Sequence, residues 1–332
     1  MSTKTTQAEA VGMEMMRMLW PPAMAAQAIH AAARLELADR LAQGPKTVAE
    51  LAEATHAHAD ALGRLLRALA SLGIFAADGP GRFRQTEMSA TLCKDAPSRL
   101  STWAMMLGAH FVWRPTGELT EAVMSGQAPF RRLYGASFFE HMDEHADDAA
   151  YFHAAMSSSP EWTAALMGAY EFSRFGRLVD VGGGQGRTLA AIVDAHPRLQ
   201  GVVFDLPGVV AGAVRHERCE RVGGDFFREV PGGADGYLLK GVIHDWDDEA
   251  AEKILSNVRR AMRPDATVLI ADTVLTAESE PPAAMMDLLM MVLGTGRERT
   301  EEEFRTLLPR AGLKLERVIR RERVTLVEGR AG

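Results

Sequence analysis

The spacing of apolar residues changes period about half-way along the chain. Up to Gly168 it is helical; after Arg174, short β-branched runs alternate with helical stretches. From Ala23 to Leu41, Ala, Leu and Ile dominate with sparse charges, which predicts helix. Thr47 sits three residues before Glu50, a capping box that opens a short helix. A second helix, near His58–Leu72, carries Leu62, Leu65, Leu66 and Leu69 at helical spacing. "GIF", then "DGPGRFR", predicts two short strands around a Gly-Pro turn. "TGELTEAVMSG" predicts a short amphipathic helix ended by Gly126. "SFFEHMDEHADDAAYFHAAMSSSP" puts aromatic and Met residues on one face, as core or, at Phe152 and Met156, as a ligand wall.

The strands expected in the second half are Arg177–Val181, Gly201–Asp205, Arg221–Val222, Gly236–Gly241, Thr267–Asp272, Leu313–Ile319 and Arg323–Glu328. Helices are expected at Asp247–Met262 and at Thr300–Leu308, where Thr300 and Glu303 form another capping box. Alternating strand and helix implies a parallel, doubly wound α/β sheet. Only "RRE" separates the last two strands, too little for a helix, so they should form an antiparallel edge hairpin.

The helix–helix–hairpin near the N-terminus resembles a winged helix, which raises DNA binding. A reading helix needs several Arg, Lys, Asn or Gln aimed at base edges. Here there are Arg64 and Arg67 behind Asp60, with Arg82 and Arg84 on the wing. The net charge of −7 also argues against a nucleic-acid partner. With 332 residues, two domains are expected. The two cysteines, Cys93 and Cys219, lack metal-ligand spacing and the histidines do not cluster with them, so no metal is expected. The polar start and the absence of a long apolar run point to a cytoplasmic protein without a membrane span. The richest apolar stretch, Pro281–Gly294, is interrupted by Asp287.

"LVDVGGGQGRT", Leu178–Thr188, places a glycine cluster at the end of a strand, where doubly wound sheets bind ligands. A Gly-x-Gly-x-x-Gly fingerprint from Gly182 and Gly184 needs glycine at 187, which is Arg187; Gly186 comes one residue early. That tells against a dinucleotide. Asp205 ends the next strand, 19 residues past Gly186. It can accept from both ribose hydroxyls of an adenosine, or simply begin a helix at Leu206-Pro207. In "GGDFF", Asp225 beside Phe226 suits an adenine amino group and ring face. The fourth strand ends in "LLKGVIHDWDD".

The motifs "LVDVGGGQG", "FDLP", "GDFF", "LLKGVIHDWDDE" and "RERTEEEF" together resemble the small-molecule O-methyltransferases that use S-adenosylmethionine (SAM). These include plant caffeate- and flavonoid-type enzymes and bacterial enzymes of phenazine and polyketide tailoring. The resemblance implies a Rossmann-like seven-strand sheet and an N-terminal winged-helix-like dimerisation domain at 1–110. The catalytic domain would span 111–332, with a helical pocket segment at 111–173. It also implies a homodimer and S-adenosylhomocysteine as product. Gly182 and Gly184 would contact the amino-acid part of SAM, Asp205 the ribose, and Leu206 the adenine. Asp225 would bind the adenine amino group, Phe226 its ring, and Lys240 the amino-acid or adenosine moiety. The base falls on His244, flanked by Asp272 and Glu298. Relatives often have Glu at the first of these; Asp is one methylene shorter.

A sulfonium methyl is already activated, so the protein must aim a nucleophile and remove its proton. Orientation supplies part of the acceleration, and a neutral imidazole suits the proton. The acceptor pocket is expected to be broad and apolar. Met285, Met286, Met290 and Met291 precede Glu298, and Met adapts to irregular rings. Trp103, Met106, His110, Phe111, Trp113, Phe152 and Met156 are further candidates. The favoured acceptor is a phenolic hydroxyl on a small aromatic or polycyclic molecule. The alternatives are N- or S-methylation, a family member that decarboxylates, hydroxylates or cyclises, and a winged-helix regulator. Met13, Met15, Met16, Met18 and Leu19 look too sticky for water, in keeping with a dimer.

Overall fold

The structure, a computed structural model, describes residues 2–157 and 159–332. It divides into one unit ending at Trp113 and a second spanning Arg114–Gly332.

The first unit begins with a helix over Ser2–Arg34, longer than the apolar pattern predicts. It stops where Glu36 adopts a left-handed conformation (φ 54°), so the Ala23–Leu41 stretch is two helices, the second being Leu37–Leu41. Strand β1 (Lys46–Thr47) leads into the helix Val48–Thr55 through the expected capping box. The Glu50 N–H donates to the Thr47 hydroxyl at 3.2 Å, and the Thr47 N–H to the Glu50 carboxylate at 2.6 Å. Helix Ala59–Ser71 follows, then β2 (Phe75–Ala77) and β3 (Arg82–Gln85). The strands pair antiparallel in the order β1-β3-β2, and Leu51, Leu62, Leu66, Leu69 and Phe75 close the core beneath them.

The second unit holds a seven-stranded, Rossmann-like sheet. In chain order its strands are β4 (Arg177–Val181), β5 (Gln200–Asp205), β6 (Cys219–Gly223), β7 (Gly236–Lys240) and β8 (Thr267–Ala271). Two further short strands, β9 (Val274–Leu275) and β10 (Arg299–Thr300), lie outside the main sheet. The chain closes with β11 (Leu313–Arg320) and β12 (Thr325–Ala331). The main order is β11-β12-β8-β7-β4-β5-β6, parallel from β8 to β6, with β12 antiparallel to both β8 and β11. The edge hairpin expected from "RRE" is therefore present.

The central strands alternate between two cores. Val179, Val181, Tyr237, Leu239, Val268 and Ile270 bury into one; Leu178, Leu238 and Leu269 into the other. Strands covered on both faces read as unbroken apolar runs, which is why they were legible. The order reverses at β4, which pairs β5 on one side and β7 on the other. No pattern foretold β9 and β10, which pair parallel with Arg299 opposite Val274. The segment "SFFEHMDEHADDAAYFHAAM" is two helices, Phe138–Glu144 and Ala146–Met156, rather than one face. No described helix is long and apolar enough to cross a membrane.

Within the first unit, helix Leu100–Gly108 packs on the first helix at a point of closest approach. A β-carbon on Gly108 would fall 2.3 Å from His30 Cβ. The Gly108→Ala substitution is therefore expected to destabilise the unit by about 1–3 kcal/mol, as overpacking does. A thermal melt reads this directly; an unchanged midpoint would refute the packing argument.

Candidate active site

The glycine loop leaves β4 at the point where the strand order reverses. Gly182 has φ 69°, and a β-carbon there would lie 2.7 Å from Val242 Cγ2. Gly186 has φ 71° and abuts Val203 in the same way. These positions need glycine both for conformation and for room. The loop is tied to the end of β5: Asp205 Oδ2 accepts the Gly184 N–H at 2.8 Å, and Oδ1 accepts the Leu206 N–H at 2.7 Å. Burial raises the Asp205 carboxyl, and these two N–H groups pull it partly back. Each oxygen keeps a lone pair for a further donor. Leu206 stands 42% exposed beside it.

Asp225 accepts the Phe227 N–H at 2.8 Å, which shapes the third loop. Phe226 borders the glycine loop, and its carbonyl accepts from Asn257 Nδ2 at 2.7 Å. Asn257 is buried on the helix Asp248–Ala261, and sequence reasoning missed it.

Asp180 was also missed. It is 1% exposed, and neither carboxylate oxygen has a hydrogen-bond partner. Burial pushes it up to about 7, Lys240 on the neighbouring strand opposes this, and Asp205 adds to it. Burial in turn lowers Lys240 against the pull of Asp180, Asp272 and Asp245. The ammonium sits 5.5 Å from the Trp162 ring centroid, a cation–π contact. An acid inside "LVDV" was the available signal.

His244 sits on a 3-10 turn, Ile243–Asp245, directly after β7. Its backbone N–H donates to Asp272 Oδ2 at 3.0 Å, and its carbonyl accepts the Arg297 N–H at 2.7 Å. Its Nδ1 meets Glu298 Oε1 at 2.8 Å; a carboxylate only accepts, so Nδ1 carries the proton. Nε2 lies 3.6 Å from Asp245 Oδ1, beyond a hydrogen bond. The sequence placed Asp272 and Glu298 as flanking acids. The structure brings both to His244, but Asp272 holds the backbone and Glu298 the ring. Burial opposes a charge on the imidazole, yet Asp245, the Glu298 bond and Asp272 outweigh it and push it up to about 10. Asp245 is the second carboxylate near the ring. Asp247 caps the helix that follows, accepting the Ala250 N–H at 2.9 Å.

Arg299 clamps the turn from below. It is 1% exposed, and donates to the carbonyls of Ile243 (2.9 Å) and Trp246 (2.8 Å) and to Asp248 (2.8 Å). Trp246 continues into an aromatic wall: it stacks on Phe139 at 5.2 Å, and Phe139 approaches Phe152 at 6.1 Å. Phe226 meets Trp246 edge-on at 6.0 Å. Met156 is half-buried on the helix Ala146–Met156, as are Met286 and Met290 on the helix Pro281–Leu293, whereas Met285 is exposed. Trp103, Met106 and His110 belong to the first unit, where Met106 is buried. Among the described residues no group of His, Cys, Asp and Glu is arranged to hold a metal ion.

The O-methyltransferase domain family matches residues 116–314, and the O-methyltransferase dimerisation domain family matches residues 22–95. The chain belongs to the O-methyltransferase family. It is similar to the mitomycin biosynthesis 6-O-methyltransferase of Streptomyces lavendulae, 39% identical and covering 94% of this chain and 92% of that one. The structure of mitomycin 7-O-methyltransferase superposes with a TM-score of 0.92 at 38% identity, over 98% of this chain and 100% of that one. An O-methyltransferase from neocarzinostatin biosynthesis was solved with SAM and 2-hydroxy-5-methyl naphthoic acid. It superposes with a TM-score of 0.81 at 35% identity, over 93% and 96% of the two chains.

The methyl donor of this O-methyltransferase family member is SAM, and the loop fits it. Glycines that a β-carbon would close, a carboxylate with acceptor capacity left at Asp205, and the exposed Leu206 line one continuous edge. The Gly182→Ala substitution sets a methyl against Val242 at a positive φ. It should weaken SAM binding about tenfold or more and cost about 1–2 kcal/mol of stability. Titration calorimetry with SAM checks it; unaltered affinity would remove Gly182 from the donor site.

Proposed function

We propose that the protein transfers the methyl group of SAM to a phenolic hydroxyl of a small aromatic or polycyclic acceptor, with His244 as general base. The observation that carries this is the His244 ring itself. Nδ1 is held by Glu298 at 2.8 Å, and among the described residues no hydrogen bond occupies Nε2. A carboxylate on one ring nitrogen fixes the other as acceptor and stabilises the imidazolium that forms. SAM supplies a methyl on a sulfonium, a leaving group that needs no further activation.

The chain's residues then orient and deprotonate. Gly182 and Gly184 hold the donor's amino-acid part, with Lys240 near it. Asp205 takes the ribose hydroxyls, Leu206 and Phe226 cover the adenine, and Asp225 accepts from its amino group. Phe152, Met156, Met286 and Met290, all half-buried in the second unit, supply the apolar contacts for the acceptor ring. The phenol's hydroxyl meets Nε2, which takes its proton as the methyl arrives. The carboxylates around the ring strengthen its hold on a proton, and a cationic donor bound nearby opposes them, so the filled site favours the neutral imidazole that accepts the phenol's proton.

We also read the protein as a cytoplasmic homodimer. The supporting observation is the exposed apolar run Met13, Met15, Met16, Met18, Leu19 and Trp20 on its first helix. The helix–helix–hairpin serves that assembly and not DNA.

Methyl transfer from labelled SAM to a panel of phenols tests the activity. His244→Ala should lower kcat by ~10²–10⁴ with SAM affinity kept. At saturating SAM, kcat/KM for the acceptor should rise with pH as His244 loses its proton. Glu298→Gln removes a charge that holds this proton, so the rise should move to lower pH while kcat falls. An active His244→Ala enzyme would end the assignment. Sedimentation should give twice the chain mass for the wild type and a single chain for Met18→Lys with Trp20→Lys; a monomeric wild type would refute the homodimer.

A further inference from the structure

The helix Pro281–Leu293 is apolar but for Asp287, its one charged residue. A carboxylate in such a helix calls for a reason, and its contact supplies one. Asp287 Oδ1 accepts the backbone N–H of Glu298 at 2.8 Å. Glu298 is 2% exposed, places Oε1 on His244, and leaves Oε2 without a partner. Its side chain is therefore held by the histidine alone, and its position depends on its main chain. Among the described residues, Asp287 is the side chain that ties that main chain down.

At 3.6 residues per turn, Met286, Met290 and Asp287 fall within about 100° of the helix circumference. Whatever presses on the two methionines presses on the stripe that carries Asp287. We infer that Asp287 is a positioning residue that relays the acceptor's grip on this helix to the Glu298–His244 pair. The relay rests on the proposed reading of the helix as an acceptor wall. A larger acceptor holds the helix more firmly, so remote binding energy appears in kcat and not only in KM. The enzyme would in this way favour fused-ring acceptors over single rings carrying the same hydroxyl.

The first test needs no acceptor. In the full chain labelled with ¹⁵N-histidine, the His244 ring is assigned with His244→Gln and titrated. The charged groups facing it are Asp245, Asp272 and Glu298. In wild type and Asp287→Asn, which keeps an acceptor oxygen, Nδ1–H should stay at low field and the ring should titrate high. In Asp287→Leu the low-field signal should be lost and the titration should fall toward the ordinary histidine range. If the Leu variant does not fold, Asp287→Ser, too short to reach Glu298, is read instead. An unchanged His244 in the Leu or Ser variant overturns the inference.

The second arm compares a single-ring with a fused-ring phenol. The kcat advantage of the fused ring in wild type should collapse to about one in Asp287→Leu, with SAM affinity kept and kcat lowered by up to about 10²-fold. A surviving advantage overturns the relay. If wild type methylates no phenol, the proposed function fails, while the titration still decides the role of Asp287.

Discussion

One buried hydrogen bond, from His244 Nδ1 to Glu298, organises the site. A carboxylate at 2% exposure is costly to desolvate, and a histidine proton is its one side-chain compensation. Such a pair gains from its attraction only when the geometry is held tightly. The surroundings serve that need. Asp272 takes the His244 N–H, the Arg297 N–H reaches the His244 carbonyl, and Arg299 grips carbonyls on either side of the turn. The two-residue pairing of β9 with β10 brings the two acids there, because Asp272 and Glu298 lie just before its strands. A pairing too short to stabilise a sheet thus sets the register of the chemistry.

The same region is strongly acidic. Asp180, Asp205, Asp245, Asp272, Asp287 and Glu298 outnumber the nearby cations, of which Lys240 is one, and several carboxyls are raised by burial. An imbalance of this kind is destabilising unless something positive completes it. His244 does so in part by holding its proton. A sulfonium does so as well, and the two cations compete for one set of carboxylates. The carboxylates that raise His244 are therefore also the ones that suit a cationic donor.

Much of the fold was legible because burial leaves a simple signature. β4 was readable to its ends as "RLVDV", and both capping boxes at Thr47 and Thr300 form as their residue types demand. The helix Ser2–Arg34 was only half visible, since its first turns carry no apolar stripe to bury. β9 and β10 were invisible, because two residues hold no period. The site was legible through "VDVGGGQG" and "GVIHDW", where glycines and a histidine break the apolar rhythm. Asp180, Asn257 and Arg299 were not, because a buried polar residue is defined by partners distant in sequence. Asp287 was seen only as an interruption in an apolar run.

The carboxylates around His244 act in two opposite ways under the proposed mechanism. Asp245, the Glu298 bond and Asp272 strengthen the ring's hold on a proton, which disfavours the neutral form in which a base must begin. The same groups stabilise the imidazolium that forms once a hydroxyl has given up its proton. A cation bound nearby works against them and favours the neutral ring. Among the described residues only Glu298 touches a ring nitrogen, so it alone fixes the tautomer, while Asp245 and Asp272 act through space. The proposed base is therefore tuned by what else occupies the site, and the tautomer that leaves Nε2 as acceptor is set before anything binds.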